Sequence, residues 1–266
     1  MEDFKNKTAL ITGASSGLGE AYALALADRG ARVILVARRA DRLRQLSDRI
    51  NQKHGVYAST VIPMDLSSRD AASTLAKVIK GRGMQIDILV NNAGFGHTIN
   101  FVDEDEQSIT SELTVNVHTL VELTRSFLPA MVERKDGIVI NIASTAAFQS
   151  LPYMALYGAT KSFVLSFTEA LWGECRKDGV KVIAVCPGPT ETEFFDAGGS
   201  SPALGRFIRK TDDVIETTFK ALAKSKSPAF VIDGFINKIT ANSSRLFTRK
   251  FAVKLAGVVM NPNKKN

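Results

Sequence analysis

Thr8-Ala9-Leu10-Ile11-Thr12-Gly13-Ala14-Ser15-Ser16-Gly17-Leu18-Gly19 is the stretch on which the fold turns. A short apolar strand, Thr8–Ile11, runs into a glycine-rich turn. A helix reads from about Glu20 to Arg29, Gly30 ends it, and Arg32–Ala37 is a second strand. That is a βαβ unit, the building block of a parallel sheet. Glycines at 13, 17 and 19 let the backbone approach a pyrophosphate, whose charge a helix N-terminus stabilises. The spacing is Gly-x-x-x-Gly-x-Gly rather than the generic Gly-x-Gly-x-x-Gly. A tight structural turn is the alternative, but the position between strand and helix favours nucleotide binding.

The same alternation continues outward. Helices read over about 41–53, from a cap at Ser67 or Ser68 to Lys80, over 106–131, 161–176, and from a cap at Thr211 over 212–224. Strands read over 57–63, 86–90, 138–143, 180–186 and 229–232. Strands alternating with helices predict an α/β, Rossmann-type, doubly wound, mostly parallel seven-stranded sheet with helices on both faces. One domain over 1–233 is expected, with a substrate loop near 194–210. A basic extension, 234–266, packs on the domain or a partner.

Several residues stand where chemistry is expected. Arg38 and Arg39 follow the second strand, where an NAD site usually carries an acid; a guanidinium suits a 2′-phosphate, so NADP(H) is favoured over NAD(H), with Arg38 first. Asn91-Asn92-Ala93-Gly94 closes the fourth strand, at the edge where open α/β sheets bind ligands. Asn116 sits inside a helical pattern, where its amide needs partners; an inter-helix hydrogen bond is the simplest use. Tyr157 and Lys161 are four apart, hence on one helix face, and a nearby ammonium lowers a phenol's pKa. Tyr157 is therefore a candidate proton donor or acceptor. Ser144 lies thirteen residues before it, and Pro187-Gly188-Pro189-Thr190-Glu191-Thr192 ends a later strand.

The 266 residues carry a net charge of +7, concentrated late: 206–266 hold 13 Lys and Arg against 4 Asp and Glu, and 234–266 hold no acid. No apolar run approaches the ~18 residues of a membrane span, and the acidic start is not a signal peptide. Cys175 and Cys186 form no redox or metal spacing and read as buried thiols of a reducing, cytoplasmic compartment. His54, His97 and His118 are scattered, so no metal is expected, and no interleaved basic–aromatic pattern suggests nucleic acid.

In order, Thr12-Gly13-x-x-x-Gly17-x-Gly19, Asn91-Asn92-Ala93-Gly94, Asn116, Ser144, Tyr157-x-x-x-Lys161 and Pro187-Gly188 make the chain resemble the classical short-chain dehydrogenase/reductases over residues 6 to about 233. The run 187–195 looks like a bacterial subgroup of broad ketone and acyl reductases. The resemblance implies NADP(H)-dependent carbonyl–alcohol chemistry on a small molecule, in the reduction direction. It implies that Tyr157 protonates the alkoxide and Lys161 lowers the Tyr157 pKa and holds the ribose. Ser144 binds the substrate oxygen, and Asn116 holds a water of a proton relay. The implied cofactor contacts are Gly13, Ser15, Ser16, Gly17, Leu18, Gly19, Arg38, Asp65, Leu66, Asn92, Ala93, Gly94, Tyr157, Lys161, Pro187, Gly188 and Thr192. Family habit implies a homodimer or homotetramer. The alternatives are a catalytically silent NADP(H)-binding regulator or scaffold, and a membrane-peripheral lipid-chain reductase.

For the substrate, Phe148, Leu151, Tyr153, Met154, Phe194, Phe195 and Phe207 are divided between pocket wall and core. His97 is expected to be a bystander. Over 242–260, Phe247, Phe251, Leu255 and Val258 share one helical face, Arg245 and Arg249 lie opposite, and Lys250 and Lys254 flank it. Packing on the chain's own domain or a subunit mate is favoured over an acidic membrane surface or an acidic carrier substrate.

Overall fold

The computed structural model describes residues 3–193, 208–243 and 247–261. Seven strands, β1 (Thr8–Thr12), β2 (Arg32–Ala37), β3 (Ser59–Pro63), β4 (Ile88–Asn91), β5 (Gly137–Ile142), β6 (Val180–Cys186) and β7 (Phe230–Ile232), form one sheet in the order β3-β2-β1-β4-β5-β6-β7. Every pairing is parallel. The chain winds from β1 outward to β3, then returns to β4 on the other side of β1. That reversal opens a crevice at the carboxyl ends of β1 and β4, where doubly wound sheets take their ligands.

Both faces are covered, which is why the strands read as apolar runs without polar alternation. Ala9, Ile11, Val33 and Leu35 face the layer of α1 (Gly17–Ala27), α2 (Ala40–His54) and α7 (Thr211–Leu222). Leu10, Ile34, Val36 and Leu89 face the layer of α3 (Ala71–Gly81) and α5 (Leu120–Arg134). α6 (Ala155–Cys175) packs on β6 beside them. Buried free thiols at Cys175 and Cys186 belong to these layers.

Five local readings are corrected. α1 begins at Gly17, not near Glu20, so the glycine turn is itself the helix's N-terminus. α6 begins at Ala155, which places Tyr157 inside its first turn. Neither Ser67 nor Ser68 caps α3; its cap position is Asp70, and Ser67 instead donates N–H (3.0 Å) and O–H (2.9 Å) to Asp65. Thr211 is the first residue of α7 rather than its cap. The long pattern over 106–131 is two helices, α4 (Glu106–Leu113) and α5, joined by a wide π-type turn over Thr114–Thr119.

After β7 come α8 (Phe235–Ser243) and α9 (Arg249–Met260), the latter capped by the Thr248 hydroxyl. Of the expected loop 194–210, Ile208–Lys210 are described: Arg209 pairs with Asp233 at 2.9 Å and bridges to Thr190. Phe194, Phe195 and Phe207 lie outside the described residues. No helix among the described residues is long and apolar enough to cross a membrane.

Candidate active site

The glycine turn and the Asn91–Gly94 turn build one wall of the crevice together. Thr12 Oγ1 accepts the N–H groups of Asn92 and Ala93, both at 3.0 Å, and the Asn92 amide donates to the carbonyls of Thr12 (2.9 Å) and Gly13 (3.3 Å). The chains approach so closely that a Cβ on Gly13 (φ +66°) would lie 2.8 Å from Asn92 Nδ2. A Cβ on Gly19 would lie 2.2 Å from the Gly13 carbonyl. The conformation leaves the N-terminus of α1 facing the crevice, an anion site by its unpaired N–H groups and dipole. Below it, Asn91 donates to Thr124 (3.0 Å) and Asn141 (2.9 Å), which donates to Thr168 (2.9 Å), a buried polar chain tying β4 and β5 to α5 and α6.

Asn116 occupies the middle of the π-type turn and is almost fully buried. Its amide is partnered at both ends: Oδ1 accepts Phe95 N–H (3.1 Å), and Nδ2 donates to the Phe95 carbonyl (2.8 Å) and to Thr160 Oγ1 (3.1 Å). The expectation of an inter-helix hydrogen bond is met through Thr160, and the wide turn is what lets one side chain serve a loop and α6 at once. A Cβ on Gly94 would lie 3.3 Å from Lys161 Nζ, so this loop must be bare beside the ammonium. Lys161 is buried and donates to the Ile142 carbonyl at 2.7 Å.

The expected electrostatics of the Tyr157–Lys161 pair are corrected. Burial pushes the Tyr157 phenol up to about 12; its hydrogen bond with Ser144 works against that rise and the charge of Glu112 adds to it. Burial also pulls the Lys161 ammonium down to about 8, partly offset by Glu112. Four residues of sequence spacing place the groups on one face but say nothing of desolvation, which is the larger effect on both. Ser144, extended at the end of β5, also accepts Ala146 N–H at 3.1 Å.

Sequence reasoning passed over Glu104 and Glu112 and took His97 for a bystander. The fold gathers His97, Glu104 and Glu112, remote in the chain, so that their ligand atoms all lie within 4.8 Å of one another, correcting the reading of scattered histidines without a carboxylate cluster. His97 Nδ1 meets Glu104 Oε1 at 3.2 Å. Glu112 is fully enclosed, neither carboxyl oxygen has a hydrogen-bond partner among the described residues, and burial pushes its carboxyl up to about 8 with the Glu104 charge adding to the rise.

At the other end Arg39, not Arg38, reaches back over the glycine turn. It donates to Ser15 Oγ (3.0 Å) and Ser16 Oγ (2.7 Å), and pairs with Glu193 at 2.6 Å. Arg38 lines the crevice near Asp65, whose carboxyl is held below its usual range first by the Ser67 N–H bond and further by the Arg38 charge.

These parts line one cavity of about 960 Å³. Of the catalytic and cofactor residues expected from sequence, Gly19 and Asn116 stand behind its wall; the others all line it. Of the residues divided between wall and core, Leu151 and Met154 line the wall, Tyr153 packs against the cluster of Met154, Tyr157 and Met260, and Phe148 packs on Phe230 (5.6 Å between rings). The far wall comes from the C-terminal helices: Ile236 and Thr240 of α8, and Leu255, Ala256, Val259 and Met260 of α9. α8 is pinned there because Asn237 fits against Gly188, where a Cβ would lie 2.4 Å from its Nδ2.

A phenol, a hydroxyl and a buried amine thus share a cavity with a glycine-built helix N-terminus. The chain is 30% identical to the very-long-chain 3-oxoacyl-CoA reductase of Mus musculus over 268 residues, 97% of this chain and 83% of that one. A structure described as giving insights into 7beta-hydroxysteroid dehydrogenase stereoselectivity superposes with a TM-score of 0.85 at 25% identity, covering 96% of this chain and 98% of that one. A short-chain dehydrogenase from Sphingobium yanoikuyae in complex with NADPH gives 0.78 at 29% identity, covering 90% and 94%. Residues 7–201 match the family model for short chain dehydrogenases, and the chain belongs to that family of oxidoreductases.

Proposed function

We propose that the chain is an NADP(H)-dependent carbonyl reductase for an apolar ketone or acyl-chain carbonyl. The observation that carries this is the placement of Ser144, Tyr157 and Lys161 in one cavity, between the glycine turn and an apolar wall from α8 and α9. The names of the mouse reductase and the steroid dehydrogenase, and the NADPH of the Sphingobium protein, support it.

The cradle fits a dinucleotide: bare backbone at Gly13 and Gly17, serines at the start of α1, and two arginines beside it. Gly13 and Ser15 to Gly19 would hold the pyrophosphate, Asp65 and Leu66 the adenine, and Arg38 with Arg39 a 2′-phosphate. Asn92, Ala93 and Gly94 would line the ribose, and Pro187, Gly188 and Thr192 the nicotinamide. Bound there, a reduced nicotinamide supplies the hydride. Tyr157 O–H donates its proton to the developing alkoxide, Ser144 O–H hydrogen-bonds the same oxygen, and the Lys161 ammonium balances the phenolate charge. A phenol pushed up to about 12 is in its donor form at neutral pH, which suits reduction.

Fluorescence titration with NADPH and NADH tests the cofactor assignment. Wild type should bind NADPH more tightly. Arg38→Ala and Arg39→Ala together should weaken NADPH by roughly 10- to 100-fold, as expected for a lost charged hydrogen bond, and leave NADH unchanged. Tighter NADH binding by wild type would remove the 2′-phosphate assignment.

The C-terminal helices favour a second, compatible reading: a membrane-peripheral lipid-chain reductase. The stripe of Phe247, Phe251, Leu255 and Val258 is about half exposed at all four positions, while Ala256 and Met260 are the face of α9 seated on the domain. Residues 234–266 carry seven basic and no acidic side chains, so the whole net charge of +7 resides there. A second copy would oppose like charge with like, whereas an anionic bilayer complements it. Leu255 and Val259 are at once on this face and in the cavity wall, so an acyl chain could pass between the two. The protein should co-sediment with vesicles rich in anionic lipid and not with zwitterionic ones, and Phe251→Ser with Leu255→Ser should abolish it. Equal sedimentation of variant and wild type would remove the tail from that role. Assembly into a homodimer or homotetramer through α5 and α6 is part of the proposal, supported by the exposed Phe163 stacked on Phe167.

A further inference from the structure

Beside the cavity two carboxylates and an imidazole converge, and one of them is left unsatisfied. Glu112 is fully enclosed, yet neither of its carboxyl oxygens meets a hydrogen-bond partner among the described residues. Such an enclosure is costly for a polar group with no partner. What Glu112 does face is a set of ligand atoms: its oxygen, a Glu104 oxygen and a His97 ring nitrogen all lie within 4.8 Å of one another. His97 Nδ1 and Glu104 Oε1 are bonded at 3.2 Å, and Glu112 stands outside that bond.

The three donors are carried on fixed backbone. Asn116 holds both the N–H and the carbonyl of Phe95, and the His97 ring lies edge-on to the Phe95 ring with centroids 5.7 Å apart. Ile99 N–H donates to the Tyr153 carbonyl at 2.8 Å, tying the same loop to the approach to α6. The Glu104 side chain is 7% exposed, and Asp105 after it caps α4 by accepting Ser108 N–H at 2.9 Å. Glu112 lies in the last turn of α4.

We propose that His97, Glu104 and Glu112 form a binding site for one divalent transition cation of the Zn²⁺ or Mn²⁺ class. The donor chemistry selects that class. An imidazole nitrogen suits a transition ion, whereas Mg²⁺ and Ca²⁺ prefer oxygen throughout. Ligands held at roughly 2.0–2.2 Å around a tetrahedral Zn²⁺ stand about 3.3–3.6 Å from one another. The His97–Glu104 pair is already near that spacing, and Glu112 has to close by about 1.5 Å at most, within reach of a glutamate's side-chain torsions. Three protein donors leave at least one position for water. His97 is the member that lines the cavity, so the site is set in the wall that Gln107, Ser108 and Ser111 of α4 also build. The cation neutralises Glu112 and pins the loop after β4 to α4. That loop carries Gly96, which lies against the Tyr157 ring. None of this depends on the carbonyl-reductase reading.

The metal alone, without nucleotide or carbonyl, tests the site. Full-length protein stripped with EDTA and then freed of it should bind one Zn²⁺ per chain in isothermal titration calorimetry. Its Tm should rise with added Zn²⁺ or Mn²⁺, as for any ligand of the folded form, and by more than with equal Mg²⁺ or Ca²⁺. Co²⁺ should give visible d–d bands without a thiolate charge-transfer band, since no cysteine is among the donors. Glu112→Gln and His97→Ala should each weaken Zn²⁺ by at least ~10- to 100-fold, the loss that follows even from removing a partner of a ligand. His97 is one-third exposed, so its variant keeps the fold and the comparison even where Glu112→Gln does not fold. His54→Ala removes another imidazole–carboxylate pair, with Asp28 at 2.7 Å on the surface, and should change nothing. Zn²⁺ affinity equal to wild type in Glu112→Gln and His97→Ala, or lost in His54→Ala instead, overturns the proposal. So does stripped wild type that takes up no Zn²⁺. Mg²⁺ bound as tightly as Zn²⁺ and indifferent to His97→Ala overturns the part given to the imidazole, and the ion class with it.

Discussion

Tyr157→Phe should lower kcat for carbonyl reduction by roughly 10²- to 10⁴-fold, the contribution of a positioned acid, and leave NADPH affinity unchanged. The variant isolates the proton. Its ring keeps the packing that Gly96 makes possible: a Cβ at residue 96 would lie 2.5–2.8 Å from the Tyr157 ring and Cβ. The hydrogen bond with Ser144 is lost, but Ser144 retains its bond to Ala146 N–H, so no acceptor is orphaned. In the oxidation direction the same group must work as a base. Wild-type alcohol oxidation should therefore climb with pH toward about 12, and the variant should show neither the rate nor the climb. Stopped-flow nicotinamide absorbance at several pH values measures both. Substantial turnover by Tyr157→Phe would take the proton-donor role away from this residue, and a loss of NADPH binding would make the change structural.

The second large effect is expected at Gly19, on the hidden side of the cofactor wall. Gly19→Ala puts a methyl 2.2 Å from the Gly13 carbonyl oxygen and 2.6 Å from Asn92 Nδ2, and backbone atoms cannot give way as a flexible side chain can. Overpacking of this kind costs about 1–3 kcal/mol, or several degrees of Tm in a chain of this size. The functional cost should be larger. Moving the Gly13 carbonyl breaks the Asn92 bonds that hold the two turns in register, so nucleotide binding should be lost almost entirely. Gly81→Ala is the internal control: it ends α3 with nothing within 4 Å of an added Cβ, and should be neutral or slightly stabilising. Calorimetry with and without NADPH reads both quantities. Undiminished binding by Gly19→Ala would show that the crevice tolerates a shifted Gly13.

Why was so much of this legible from sequence? A parallel sheet buried on both faces writes its strands as apolar runs, and a turn that must lie close to another backbone writes itself in glycine. Gly13, Gly17 and Gly19 are such positions, as are Asn92 and Gly94 opposite them. What stayed hidden depends on the third dimension. Desolvation of Tyr157 and Lys161 comes from elements far away in the chain, so a spacing rule predicted a lowered phenol pKa where burial raises it. Arg38 and Arg39 are chemically alike neighbours, and only the backbone course decides which reaches Ser15 and Ser16. Glu112 is one unremarked charge in the helical run over 106–131. Its burial follows from the wide turn after it, and that turn is held by tertiary bonds to Phe95 and Thr160 that no local pattern encodes. In the tail the apolar stripe was visible, but not that Ala256 and Met260, rather than the stripe, would be the seated side.

That wide turn also divides the labour of the two helices it joins. A residue of α-helix advances about 100°, so the extra residue taken up by a π-type turn rotates everything before it against everything after it. α5 is thereby free to keep the phase that seats Leu123 and Met131 on the sheet, while α4 keeps the phase that shows Gln107, Ser108 and Ser111 to the cavity. The joint works as a clutch between scaffold and cavity wall. The cavity-facing residues of α4 can change without any tooth of the core changing its mesh, and deleting one residue between 114 and 119 would lock the two together and swing the whole α4 face away from the cavity.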